Sequence, residues 1–191
     1  KFYYYFKDMR LLTLLILLNL PLQVFANEDI YLPFNKENAK YWQYISDRTM
    51  GGVSNGKAIL ENDEDLFFAR LTGNVSTDNN GGFIQLRSIL SFDNLIDKEK
   101  ILKGVRINTR GNGEIYHIFI RTSETRSYRD FYSATFIANN DWQLIDIPFS
   151  VFKHRFSNKS LDGNDIRTFG IVAYGRDFFS DVSVSEISFY D

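Results

Sequence analysis

The chain of 191 residues contains no cysteine and only two histidines, His117 and His154. The first absence excludes disulfides, thiolate metal centres and a cysteine nucleophile. The second leaves one imidazole in an expected strand and one in an expected loop, neither with a serine or carboxylate spaced for a triad. His117 alternates in step with Ile115 and Phe119 and reads as a satisfied core residue rather than a base. A surplus of one charge is also missing, because 22 Lys and Arg stand against 24 Asp and Glu. That balance gives no electrostatic reason to expect nucleic acid as a partner. Beyond the N-terminal segment no stretch sustains apolar residues at helical spacing.

What is present begins with a leader-like segment. The first methionine is Met9, followed by Arg10, the apolar run 11–18, a break at Asn19 and Pro21, and Val24-Phe25-Ala26. A basic start, a short apolar stretch and a small-residue cleavage site are the three parts of a secretory signal peptide. The apolar run falls short of the roughly 20 residues that span a bilayer, and the Arg-rich amphipathic character of a mitochondrial transit peptide is missing. Residues 1–26 are therefore expected to be an over-extended start plus a signal peptide, with residues 27–191 forming one exported domain, periplasmic or secreted. No transmembrane span is expected after cleavage. Loss of Lys1, Lys7, Arg10 and Asp8 leaves 19 basic against 23 acidic residues, a net of −4. An exported domain without disulfides must rest on its hydrophobic core.

The remainder reads as all-β. Segments with period-two alternation recur between turn clusters, at 41–46, 57–61, 66–72, 83–87, 104–110, 115–121, 131–138, 142–147, 168–174 and 182–190. Val105, Ile107 and Thr109 fall on one face and Arg106, Asn108 and Arg110 on the other, the pattern of a half-buried strand. Near Ser185 the apolar parity shifts from Val182 and Val184 to Ile187 and Phe189, which predicts a β-bulge. Asn112-Gly113 predicts a tight hairpin between its flanking strands, and residues 139–141 predict a second. The one helical candidate is a short piece over 91–102. This density of short strands and turns predicts a sandwich.

The chemistry concentrates in residues 42–56, WQYISDRTMGGVSNG, where a strand runs into a loop holding an acid, an arginine, a serine and three glycines. Adjacent glycines permit positive φ and a close approach of another segment, and Asp47 can accept hydrogen bonds from nearby backbone N–H groups. Two readings stand side by side: a structural loop packed across a sheet, or a binding surface. Further segments follow in order: LTGNV at 71–75, NGGFIQLR at 80–87, VRINTRGNG at 105–113, YHIFIR at 116–121 and DWQLIDIPF at 141–149. This ordered set resembles the complex I intermediate-associated protein 30 family over nearly all of the expected mature chain.

The resemblance implies a galactose-binding-like jelly-roll β-sandwich without enzymatic activity. It also implies a protein partner, a membrane-complex assembly intermediate, met through protein–protein contact. Because this fold type places sugars on a concave sheet face lined by tyrosine, tryptophan and arginine, a carbohydrate-binding module of the cell envelope is the alternative. The candidate binding residues are Asp47, Arg48, Met50, Gly51, Gly52, Ser54, Gly81, Gly82, Arg87, Tyr116 and Arg121, with Arg126, Tyr128 and Arg129 close by. Arginine and tyrosine anchor interfaces and hydrogen-bond to sugars; equally, Arg87 and Arg121 can pair with Asp47 or another acid and clamp the loop. Trp42 and Trp142 read as sheet-packing residues. The oxygen-rich runs 62–65 and 162–165 lack the length and ligand alternation of an EF-hand and read as solvated turns, with structural calcium left open. No catalytic residue, metal ligand or cofactor is assigned.

Overall fold

The computed structural model describes residues 30–88 and 101–191. The expected leader and the helical candidate at 91–102, apart from its last two residues, lie outside the described residues. Within them are twelve strands: β1 (Ile30–Pro33), β2 (Trp42–Ser46), β3 (Asn55–Asp63), β4 (Leu66–Val75), β5 (Phe83–Ser88), β6 (Gly104–Gly111), β7 (Ile115–Thr122), β8 (Tyr132–Ile137), β9 (Gln143–Pro148), β10 (Lys153–His154), β11 (Ile166–Tyr174) and β12 (Phe178–Tyr190). All ten expected strands are there. The short β1 and β10 carry too few residues to show alternation.

The strands form two antiparallel sheets, one ordered β3-β4-β12-β6-β9 with β1 added beside β12, the other ordered β10-β8-β7-β11-β5-β2. The inner faces meet in one core. Leu71, Val105, Ile107, Val182, Val184, Ile187 and Phe189 from the first sheet face Ile84, Leu86, Tyr116, Ile118, Ile120, Phe169 and Ile171 from the second, all buried. Period-two alternation then leaves every second residue of the second sheet on its outer face. The expected bulge is present: the pairing of β12 with β6 shifts between Val184 and Glu186, so Ser185 is the extra residue and both flanking apolar pairs still point inward. Trp42 packs on Phe34, with ring centroids 4.9 Å apart, and Trp142 sets its edge against Phe68 at 5.5 Å.

Both expected hairpins are corrected. Gly113 does turn with φ +81°, but β6 and β7 belong to different sheets, and so do β8 and β9. Each turn carries the chain across the sandwich. The two crossings lie side by side, with Gly111 N donating to Asn139 O at 2.6 Å and Gly113 N to Ala138 O at 2.7 Å. Alternation reports that a strand is half-buried and says nothing about which strand is its neighbour. Residues 62–65 instead make a true hairpin, in which Asp63 pairs with Leu66 across a turn containing Glu64 at φ +54°. The 162–165 run is also a turn, with Asp162 Oδ1 accepting from Asn164 N at 2.9 Å. Among the described residues no helix is long and apolar enough to cross a membrane.

Tyr116 secures the first crossing from inside. It is fully buried; its hydroxyl donates to Asn112 Oδ1 at 2.6 Å and accepts from Asp181 N at 2.9 Å. Replacing it by phenylalanine keeps the ring and leaves both partners unpaired. The Tyr116→Phe variant is expected to lose about 1–2 kcal/mol of stability, read as a lower urea midpoint at unchanged m-value.

Candidate functional site

The loop after β2 turns inward around its acid. Asp47 is fully buried, as is Ser54. The Asp47 carboxylate accepts four hydrogen bonds: from Ser54 N at 3.0 Å, Ser54 Oγ at 2.5 Å, Gly82 N at 2.5 Å and Phe83 N at 3.1 Å. Ser54 Oγ in turn accepts from Ser76 N at 3.0 Å, which draws in the end of β4. One carboxylate and one hydroxyl thus gather the end of β2, the approach to β3, the exit of β4 and the start of β5, two strands from each sheet. Burial by itself would raise the Asp47 carboxyl, but the bonds from the Ser54 hydroxyl and the Gly82, Phe83 and Ser54 amides outweigh it and hold the group below its ordinary value.

The glycine pairs answer to this centre. A Cβ on Gly52 would lie 2.4 Å from Asp47 Cγ, and one on Gly81 would lie 2.5 Å from Asp47 Oδ2. Only hydrogen fits at either place. Gly51, at φ +93°, closes the short helical turn over Asp47–Met50.

On the other side of this clamp, a groove of about 990 Å³ runs over the outer face of the second sheet. Thr49, Met50, Asn80 and Gly81 form one rim, so the backbone held by Asp47 is also a wall of the groove. The floor follows from strand parity. Gln43 of β2 pairs with Arg87 of β5, Arg87 with Gly170 of β11, and Gly170 with Phe119 of β7. Gly170 carries no side chain, and the place a Cβ would take is closed by Gln85 Oε1 at 3.3 Å and Val172 Cγ2 at 3.7 Å. Phe119 stacks on Phe131 at 3.9 Å with the planes 17° apart, and Tyr174 sets its edge to Phe119 at 5.2 Å.

Polar groups interrupt this apolar floor. Gln85 is buried, and its Oε1 has no hydrogen-bond partner. Arg121 donates Nη2 to Tyr128 O at 2.8 Å, while its buried Nε and Nη1 have no partner. Burial, followed by repulsion from Arg87, lowers the Arg121 guanidinium to about 10, against a smaller opposing pull from Asp130. Burial lowers Arg87 too. Arg155 reaches over the Phe131 ring at 5.2 Å and donates to the Tyr174 hydroxyl at 3.3 Å. A trough that combines aromatic rings with fixed amide and guanidinium groups is the form of a small-molecule or oligomer site.

The structure divides the sequence-derived residues into three groups. Asp47, Gly52 and Ser54 make the clamp, with Gly51 closing its turn and Gly82, at φ +121°, donating to the carboxylate. Met50, Gly81, Arg87 and Arg121, joined by Tyr128 and Arg129, line the groove. Tyr116 lies in the core on the opposite face of β7 and does not join the groove, and Arg48 is exposed outside its lining. The expected alternative, a pairing of Arg87 or Arg121 with Asp47, does not form, because the carboxylate is filled by Ser54, Gly82 and Phe83. His117 has the parity read from the sequence but sits on the outer face beside Phe119 and Tyr174. Sequence reasoning missed Gln43, Gln85, Phe119, Phe131, Arg155 and Tyr174. For the four of these in β2, β5, β7 and β11, the signal was their parity opposite the core residues of the same strands.

These features define a galactose-binding-like β-sandwich domain with a groove across one sheet. The chain belongs to the complex I intermediate-associated protein 30 family, which it matches over residues 32–180. Comparison with curated proteins returned no match. Among solved structures it is similar to the family 11 carbohydrate-binding module of the cellulosomal cellulase Lic26A-Cel5E of Clostridium thermocellum, with a TM-score of 0.66 and 16% identity over 85% of this chain and 94% of that one. A family 11 module from the same organism, in complex with a β-1,3-1,4-mixed-linked tetrasaccharide, gives 0.63 and 16% over 84% and 95%. The family 30 module of its cellulase Cel9D-Cel44B gives 0.58 and 14% over 86% and 98%. At these identities the likeness is one of fold.

Two expectations follow from the clamp. Asp47→Asn puts an amide N–H₂ among N–H donors and is expected to cost about 2–4 kcal/mol. Because the native carboxyl is held below its ordinary value of about 3.9, its contribution is complete above that pH and is lost as pH falls through the lower native value. Denaturant titrations should therefore show a wild-type to Asp47→Asn gap that is constant from pH 7 to about pH 5 and narrows below about pH 4. Gly81→Ala, which forces a methyl onto the carboxylate, should cost about 1–3 kcal/mol in the same assay.

Proposed function

We propose that this chain is an exported, non-catalytic binding domain that holds an oligosaccharide in the groove over β2, β5, β11 and β7. The observation that carries this reading is the groove's composition: exposed Tyr128 and half-buried Phe83 and Tyr174 offer ring surface above the buried Phe119–Phe131 stack, while Gln85 and Arg121 present buried polar atoms without partners. Sugar rings have the matching chemistry, apolar C–H faces edged by hydroxyls that donate and accept. The volume of about 990 Å³ suits an oligomer rather than one ring. The fold shared with the family 11 module, whose structure was obtained with a mixed-linked tetrasaccharide, supports the same reading. A non-catalytic role is supported by the lining itself, which among the described residues holds neither an imidazole nor a carboxylate to act as acid or base. Export rests on the leader pattern that ends at Ala26.

A second reading is protein–protein contact in assembly of a membrane complex. It is favoured by the family, whose name refers to a complex I intermediate, and by Met50 and Val53, two exposed apolar side chains close together on the loop after β2, Met50 at the groove rim.

Calorimetric titration with a panel of neutral and acidic tetrasaccharides decides between them. Under the oligosaccharide reading at least one sugar binds, and Tyr174→Ala weakens it about tenfold or more, while Met50→Ser leaves recovery of proteins from an envelope extract unchanged. A flat panel together with an envelope partner lost on Met50→Ser would overturn it in favour of the second reading.

A further inference from the structure

The groove has a charge character that a neutral sugar does not explain. Among the described residues four arginines line it, Arg87, Arg121, Arg129 and Arg155, and no aspartate or glutamate does. The chain as a whole carries a net charge of −2, so this concentration runs against its overall balance. Elsewhere on the sandwich, arginines meet acids: Arg70 holds Asp181 at 2.8 Å, Arg106 holds Asp146 at 2.6 Å, Arg176 meets Glu114, and Arg110 reaches Asp63 at 4.0 Å. Among the described residues none of the groove arginines has such a partner. Arg121 bonds a carbonyl, Arg155 a neutral tyrosine hydroxyl, and Arg129 lies over the Tyr128 ring. The acid that does act on Arg121 is Asp130, whose Oδ1 lies 2.7 Å from His154 Nε2 and whose Oδ2 accepts from Arg126 N at 3.3 Å.

Gathering like charges in a half-buried trough is unfavourable for the free protein, and an anion placed between them removes that cost. Guanidinium forks match planar or tetrahedral oxyanions with paired hydrogen bonds, which ammonium groups do not. Arg87 and Arg121 both line the groove, and two buried guanidinium nitrogens of Arg121 have no partner there. Resting on the oligosaccharide reading above, we infer that the ligand is an acidic oligosaccharide, with a ring carboxylate or sulfate seated over Arg87 and Arg121 and neighbouring ring faces against Tyr174 and Phe83.

The test titrates the full chain at low salt with tetragalacturonate, a tetrameric alginate fragment and a carrageenan tetrasaccharide. Their neutral counterparts are methyl-esterified tetragalacturonate and cellotetraose, and hexaglutamate serves as a non-sugar anion. At least one acidic sugar is expected to bind, with affinity falling as sodium chloride rises to 0.5 M. Methyl-esterified tetragalacturonate, which keeps the sugar backbone and loses the charge, is not expected to bind. A uronate binding best assigns a carboxylate, and the carrageenan fragment binding best assigns a sulfate. Arg87→Gln and Arg121→Gln should each weaken binding about 10- to 100-fold, with Arg87→Lys recovering part of the loss. Arg155→Gln, at an exposed position, gives the same direction of change should a buried variant fold poorly, as checked by circular dichroism. Binding of cellotetraose or the methyl ester as tightly as the acids, unaffected by the arginine variants, would overturn the charge assignment and leave the oligosaccharide reading standing. Absence of binding by every sugar, or preference for hexaglutamate, would overturn both.

Discussion

One buried carboxylate organises the edge of the sandwich where both sheets meet. Asp47 is a charge withdrawn from water, and it is stable there because four donors converge on it, three of them on the same oxygen. Those donors come from the approach to β3 and the start of β5, while the acid itself closes β2. Ser54 extends the set to the exit of β4 through Ser76. Two stretches of chain, 47–54 and 76–83, are therefore held at fixed separations. The glycines beside the carboxylate follow from that geometry, since a methyl at Gly52 or Gly81 would occupy the acid's own space.

The consequence for function is mechanical. The loops pulled inward by Asp47 present their outer backbone as a wall of the groove, with Thr49, Met50, Asn80 and Gly81 along it. Packing and recognition thus use opposite sides of the same short segments. The second sheet repeats this division along each strand. Tyr116, Ile118 and Ile120 enter the core, while Phe119 and Arg121, on the alternate positions of β7, enter the groove. A small apolar cluster of Phe119, Phe131 and Val172 gives the groove a floor of its own beneath the arginines.

Much of this was legible in residue order. Ten strands, the bulge at Ser185 and the importance of the glycine loop all follow from alternation, its break in parity and the chemistry of Gly and Asp. The two crossings at Gly111–Gly113 and 139–141 were not, because an Asn-Gly turn looks the same whether its strands pair or part. Tyr116 was drawn toward the surface site by its nearness in sequence to Arg121. Five residues along a strand is the opposite face, and the face decides its environment. His117 was correctly placed in parity, yet that parity belongs to the outer surface, where an apolar cluster imitates a core.

The sequence by itself determined that the chain is β-rich, that its strands are half-buried, and that residues 47–54 and 80–83 carry special backbone chemistry. These are local properties, set by a two-residue period and by the steric freedom of glycine. Only the tertiary structure decided which sheet each strand joins, that Asp47 faces inward while Arg87 and Arg121 line a groove, and that those arginines form no ion pair among the described residues. Such outcomes depend on contacts between segments tens of residues apart. They are settled when two faces close against each other and exclude water, a step that no local pattern encodes.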